Sequence, residues 1–252
     1  MPKFTVLLLL AIFPLFNLST QGLEGIKNTD KAILIYAGYG PQSPSGDLSD
    51  RFGNTWGIEL GVDYIAKESN WLFGVFGQYI FGSQVNEDVV ANLRTRDGFI
   101  IGNQRDPADI QLRMRGYFAG ARIGKIIPFG DNKRSGLKVA IGAGWMEHRI
   151  RIQNDVNQSV NQLVGDYRSG YDRLSSGPAL YQFLGYQNMS VNGRINFYAG
   201  AELFEGFTQS RRDFDYATGN PIDESRLDLL AGFRLGIILP LYQGDGREIF
   251  YR

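Results

Sequence analysis

Past residue 30 the apolar residues recur with a period of two, and the segments carrying that period are joined by connections that alternate strictly between long and short. In WGIELGVDYI (56–65), Trp56, Ile58, Leu60, Val62 and Tyr64 share one face and Gly57, Glu59, Gly61 and Asp63 the other. In LKVAIGAGW (137–145), Leu137, Val139, Ile141, Ala143 and Trp145 alternate with Lys138, Ala140, Gly142 and Gly144. A period of two is that of a pleated strand with unlike faces. Eight such runs fall at roughly 31–40, 53–65, 71–82, 112–128, 137–152, 177–188, 194–208 and 227–242. The sixth alternates poorly and begins at Pro178. The segments 41–52, 83–111, 153–176 and 209–226 are long and polar, whereas AKESN, GDNKRSG and MSVNG are short. Long loops on one side and tight turns on the other describe an up-and-down meander that crosses a bilayer. The expected fold is therefore all-β: an eight-stranded antiparallel up-and-down transmembrane β-barrel, with both ends of the chain on the short-turn side.

A soluble ligand-binding barrel is greasy inside and polar outside, and a membrane barrel is the reverse. Here one face carries an apolar band about nine residues long on each strand, and Trp56, Tyr64, Trp71, Tyr117 and Trp145 stand near where that band stops. The other face is mainly glycine, alanine and isolated charges, which makes a poor cavity for an apolar ligand. The membrane reading is favoured for that reason.

Two strands share the pattern AG-x-R-x-G-x-x-x-P. Ala119, Gly120, Arg122, Gly124 and Pro128 match Ala231, Gly232, Arg234, Gly236 and Pro240. The charged positions Glu59, Arg122, Glu202 and Arg234 all fall on the inward face, and near one level when counted from the strand ends. An unpaired charge in a narrow lumen is very costly, so the four are expected to pair into a plug, with glycines giving room to the guanidinium forks.

The first residues, MPKFTVLLLLAIFPLFNLSTQG, have a lysine, an apolar run from Phe4 to Phe16, and small residues suited to cleavage after Gly22. They read as a signal peptide. The expected organisation is 1–22 signal peptide, 23–242 barrel and 243–252 periplasmic tail. The 32 glycines and many Tyr and Phe residues suit strands. With 26 basic and 26 acidic residues, nothing points to nucleic acid. The chain has no cysteine and one histidine, which excludes disulfides, thiolate sites and a His-rich metal site. No cofactor is expected.

Arg113, Arg115, Arg149 and Arg151 alternate onto the outward face above the apolar band, where they are candidates for contacting lipopolysaccharide phosphates. A solvated rim is the other reading. His148 faces inward near the outer rim. It is the one candidate for a general base, although no serine or acid is tied to it by spacing; the alternative is a hydrogen-bonded rim residue. In the tail, Ile249, Phe250 and Tyr251 are candidates for docking a periplasmic or outer-membrane protein partner.

Taken together, these residues resemble the small OmpA/OmpX-type outer-membrane β-barrels of Gram-negative bacteria. The likeness covers nearly all of the mature chain and is architectural. The Pro-Leu-Tyr ending of the last strand, with its short aromatic-tipped tail, resembles barrels of Bacteroidota. The resemblance implies an outer-membrane location in contact with lipid and lipopolysaccharide. It also implies a non-enzymatic structural or accessory role, such as a subunit of an assembly or secretion complex. The alternatives are a lipid A-modifying enzyme using His148 and an adhesin acting through its long loops. Fold alone does not choose among them.

Overall fold

The computed structural model describes residues 28–154, 160–190, 195–222 and 224–242. Eight long strands carry the fold. They are β1 (Ala32–Gly46), followed by the short helix α1 (Asp47–Arg51), then β2 (Thr55–Ile65) and β3 (Trp71–Gly82). After two short strands, β4 (Ile100–Ile101) and β5 (Pro107–Ala108), come β6 (Ile110–Pro128), β7 (Gly136–Asn154), β8 (Ser175–Met189) and β9 (Asn196–Ser210). A loop hairpin, β10 (Phe214–Asp215) and β11 (Asn220–Pro221), precedes the last strand, β12 (Ser225–Tyr242). The eight long strands close in the order β1-β12-β9-β8-β7-β6-β3-β2, each pair antiparallel. Residues 1–22 and 243–252, and with them the expected leader and tail, lie outside the described residues.

The register fixes the geometry. A path perpendicular to the strands runs from Ala32 through Ile65, Leu72, Gly124, Ala140, Phe183, Glu202 and Gly232, and returns to β1 at Gln42, ten residues from its start. A stagger of ten residues over eight strands tilts them by roughly 40° from the barrel axis. The lumen is then just wide enough for its own side chains.

Two boundaries differ from the sequence expectation. The stretch 41–46 is strand rather than loop, and β8 starts at Ser175, upstream of Pro178. Proline lacks a donor, and the ladder shows how each is accommodated. The β1–β12 pairing skips Gly40 and Pro41, while Pro41 keeps its place opposite Trp56 of β2. The β8–β9 pairing skips Gly177 and Pro178, while Pro178 stays opposite Trp145 of β7. Each proline gives up one neighbour and keeps the other.

The outward face is apolar. Leu60 is 63% exposed, Phe233 69% and Ile237 66%. From Tyr64 to Trp56 the belt is about 20 Å tall at this tilt. Aromatic rings rim it: Tyr39 stacks on Trp56 at 5.0 Å, and Tyr79 meets Tyr117 at 5.1 Å at the upper edge. At the lower edge, Lys125 lies 5.2 Å over the Trp71 ring.

The inward face is more aromatic than expected. Phe76, Phe118, Tyr181 and Phe204 form one cluster, with Phe76 and Tyr181 centroids 4.5 Å apart and Phe118 and Phe204 5.0 Å apart. Glycines beside them make room for these rings; a Cβ on Gly120, two residues along the same strand, or on Gly144 of β7 would lie 2.8 Å from Phe118 Cζ. Below the cluster, Leu34, Ile65, Leu72, Ile126 and Met189 fill the short-turn end. Above it, the long loops fold into a cap with its own buried residues, among them Val89, Val90, Ile100, Leu163 and Tyr171.

Candidate functional site

The central feature of the interior is a layer of six charged side chains, all buried: Glu59, Asp63, Arg122, Lys138, Glu202 and Arg234. Three are acids and three are bases, so the layer is formally neutral. Arg122 on β6 donates through Nη1 to Glu59 Oε1 at 2.7 Å and through Nε to Asp63 Oδ1 at 2.8 Å. Its guanidinium sits between the Tyr36 and Phe76 rings, 4.8 and 4.7 Å from their centroids. Arg234 on β12 forks onto Glu202, with Nε at 3.1 Å from Oε2 and Nη2 bound to Oε1. Arg234 Nη1 donates to the Gly57 carbonyl at 2.6 Å. Gln42 Nε2 also reaches Glu202, at 2.8 Å.

The two halves touch. Glu59 Oε2 lies 3.8 Å from Arg234 Nε, and Asp63 Oδ2 lies 3.5 Å from Lys138 Nζ. Lys138 Nζ also stands 3.9 Å above the Tyr36 ring. The four charges singled out in the sequence thus lie in one network. Asp63 and Lys138 were not singled out, although both alternate onto the inward face.

Local sequence explains why long charged side chains fit here. Each of the six has a glycine as a cross-strand partner: Gly38 for Glu59, Gly74 for Asp63, Gly142 for Arg122, Gly185 for Lys138, Gly232 for Glu202 and Gly200 for Arg234. Asp63, Gly74 and Arg122 form one row across β2, β3 and β6. The bare glycine in the middle leaves the guanidinium a direct path to the carboxylate. Two of the glycines that flank the arginines on their own strands serve another purpose: a Cβ on Gly120 would crowd the Phe118 ring and one on Gly236 would run into the Tyr198 ring. The forks themselves are cleared from β2, where a Cβ on Gly57 would lie 2.9 Å from Arg234 Nη2.

At the short-turn end, Arg134 closes the barrel. It donates to the carbonyls of Asn28 (3.1 Å), Thr29 (2.8 Å), Asp30 (3.1 Å) and Ala66 (2.9 Å), and also to that of Ser69. It too was not singled out. A surface-turn lysine–arginine pair, Lys133 and Arg134, carries no periodic signal of burial.

At the upper rim His148 is buried, with Nε2 2.7 Å from Asp228 Oδ2. Thr208 donates to the same oxygen, and Phe52 packs edge-on against the imidazole at 5.7 Å. The acid partner lies 80 residues away in sequence, which is why spacing gave no hint of it. Ser175 is directly across the ladder but is bound by Arg51 Nη1 at 2.9 Å, not by His148. The result is a histidine with an acid and no open face toward solvent or lipid.

Above this rim the cap is tied by ion pairs. Arg173 binds Glu87 at 2.7 Å and Asp215 at 2.6 Å, and Arg51 reaches Glu87 and Glu224 at 3.4 and 3.3 Å. Burial alone would raise the Asp215 carboxyl, but hydrogen bonds from Thr218, Arg173 and the Ala217 amide outweigh it and hold the group below its ordinary value. Burial and the neighbouring Arg226 push Arg51 down. These groups line an open polar cup of about 530 Å³.

Arg113, Arg115, Arg149 and Arg151 stand on the outer surface of β6 and β7, directly above Tyr117 and Trp145. Arg113 is opposite Arg151 and Arg115 opposite Arg149. Like charges directly opposed on a ladder repel. Among the described residues none of the four forms an ion pair; Arg113 donates to Gln111 and Arg115 to the Met114 carbonyl. Arg115, Arg149 and Arg151, with Arg168 and Asp172 from the cap, line a hollow of about 290 Å³. The tail residues Ile249, Phe250 and Tyr251 lie outside the described residues. No group of three or more potential metal-ligating side chains occurs among the described residues.

No protein-family model matches the chain, and no curated protein matches it. Among solved structures the chain is similar to Neisserial surface protein A (NspA), with a TM-score of 0.40 and 12% identity over 81% of this chain and 96% of that one. The fold is defined by the closed register rather than by this likeness: an all-β ring of eight antiparallel up-and-down strands.

Proposed function

We propose that this chain is a non-enzymatic structural barrel of the outer membrane of a Gram-negative bacterium, with a lumen closed by its ionic layer. The observation that carries this reading is the reversal of polarity. The outer belt is apolar and rimmed by aromatic rings, while six charges are buried inside. Water on the outside would leave the belt exposed; lipid there covers it and leaves the charges to one another. The interior supports a closed lumen because the charges are paired and the space around them is taken by the Phe76, Phe118, Tyr181 and Phe204 rings. We assign His148 a structural role, since it is buried and held by Asp228. Full-length protein in a planar bilayer should give no large conductance steps; steady ion-conducting steps would overturn the closed lumen. Solubility without detergent, and no heat-dependent shift in gel mobility, would overturn membrane insertion.

The opposed arginines favour one ligand at the outer surface. Two Arg–Arg ladder pairs are unfavourable alone and favourable around an anion, and the guanidinium fork matches phosphate. Phosphate groups of lipopolysaccharide fit that position above the belt. Replacing Arg113, Arg115, Arg149 and Arg151 by glutamine should reduce co-purified lipopolysaccharide without unfolding the barrel; unchanged bound lipid would refute the assignment. The accessory role and docking through the tail are tested by deleting 243–252. Loss of a co-purifying protein is expected, and unchanged partners would remove the tail from that role.

A further inference from the structure

His148 is the one histidine of the chain, and it sits three residues beyond Trp145 on β7, above the aromatic rim, where barrel and cap meet. The elements packed against it differ in what they present. β12 brings Asp228, whose Oδ2 lies 2.7 Å from Nε2, and Arg226, whose Nε reaches Asp228 Oδ1 at 3.4 Å. α1 ends in Arg51, and the Phe52 ring that follows lies edge-on to the imidazole. β9 supplies the Thr208 hydroxyl to the same carboxylate oxygen. β6 and β8 place Gly116 and Ser175 opposite, and neither is charged. The chain neighbours Glu147 and Arg149 alternate onto the outward face. These contacts fix the proton on the ring. An ionised carboxylate only accepts, so Nε2 carries the hydrogen and Nδ1 the lone pair. Nδ1 is buried and has no partner among the described residues. A second proton would create a buried N–H without an acceptor, in a cluster that already holds Arg51 and Arg226. Burial outweighs the pull of Asp228, and the two guanidiniums add to it, so the ring is held below its ordinary value.

We propose that His148 is an acid-sensitive latch: the neutral ring holds the cap on the barrel rim, and a second proton at Nδ1 releases it. The latch rests on the structural role assigned to His148 above. Its reach comes from what the same cluster ties together. The Leu227 amide donates to Asp47 Oδ2 at 2.7 Å, and Arg226 donates to the Asp47 carbonyl, so the start of β12 holds the start of α1. At the other end of α1, Arg51 donates to Ser175 Oγ at 2.9 Å and to Glu224 Oε2 at 3.3 Å. Two residues beyond His148, the Ile150 amide donates to the Asp172 carbonyl of the cap at 2.7 Å. A protonated ring can satisfy its new N–H only by leaving its seat against Phe52 and Asp228. That movement frees the end of α1, and with it the Arg51 and Arg226 floor of the polar cup. The device is a buried histidine whose charge state biases two arrangements of one junction.

A single histidine makes the test direct. Full-length protein in detergent micelles, isotope-labelled at the imidazole, gives a ring titration by NMR that belongs to His148 alone. Amide exchange at Phe52 and Asp228, corrected for the intrinsic pH dependence of exchange, reports the latch over about pH 8 to about pH 5. The contribution of the neutral ring is complete above about pH 6.5 and is lost as pH falls through the lower folded value. Protection should therefore be flat above about pH 6.5 and then fall, approaching about tenfold per pH unit, because release takes up one proton. His148→Gln keeps an N–H donor for Asp228 and does not titrate, so its protection should stay constant over the same range. A ring that titrates at or above its ordinary value, protection that stays flat through the ring titration, or a pH step that survives in His148→Gln would overturn the latch. Ring titration and exchange are both read on the unaltered protein, so they decide the matter even if the variant does not fold. Failure of the structural role would show separately, by mass spectrometry, as lipid A altered by the unaltered protein and not by His148→Gln.

Discussion

Arg122→Met is the most informative perturbation of the interior. Arg122 makes two charge-assisted hydrogen bonds, at 2.7 and 2.8 Å, to two buried carboxylates. Removing one partner of a buried pair costs about 3–5 kcal/mol, because the charge left behind remains desolvated. Here two acids share the loss, and Lys138 still attends only Asp63. The layer changes from neutral to one excess negative charge, so a cost near the upper end, about 5 kcal/mol, is expected. The reasoning makes a sharper claim about the double variant. Arg122→Met with Glu59→Gln leaves Asp63 beside Lys138 and Glu202 beside Arg234, two neutral pairs. It should therefore be more stable than Arg122→Met alone by about 2 kcal/mol or more, although it removes more native hydrogen bonds. Urea titration of the folded band in detergent micelles, read by loss of heat-modifiable mobility, measures both. If the two changes add, or if Arg122→Met costs under about 1 kcal/mol, charge balance is not what holds the layer together.

Three further outcomes follow from the geometry. Arg134→Met removes the donor shared by five carbonyls near the short turns; a loss of about 2–4 kcal/mol in the same titration is expected, and Arg134→Lys should recover only part of it because an ammonium cannot span the same acceptors. Asp228→Asn should cost about 1–3 kcal/mol and loosen α1 and the rim, read as faster amide exchange around Phe52, since His148 and Thr208 lose a charged acceptor. The cap should weaken in acid. The Asp215 carboxyl is held below its ordinary value, so its stabilising contribution is complete above about pH 4 and is lost as pH falls through the lower folded value; proteolysis within 211–224 should accelerate there, and Asp215→Asn should remove that acid step.

How much of this was legible in the sequence follows from what period two can and cannot encode. Alternation assigns each residue to a face, and it placed Glu59, Asp63, Arg122, Lys138, Glu202 and Arg234 on the inner one. It does not give register, and register decides who meets whom. Counting levels from the strand ends brought Glu59 level with Arg122 but left Asp63 four residues away along its strand. With a stagger of ten residues, Asp63 is instead in the same row as Arg122 and only Gly74 separates them. The partner of His148 was hidden for the same reason, because the ladder that presents Asp228 to it is closed by strands remote in sequence. The cap was the least legible part, since its buried residues come from loops with no period at all. A repeat such as AG-x-R-x-G is thus best read as half of a contact. Gly120 makes room for the Phe118 ring of its own strand and Gly236 for the Tyr198 ring of β9, each arginine serves acids on other strands, and the pattern becomes interpretable only when the barrel's stagger is known.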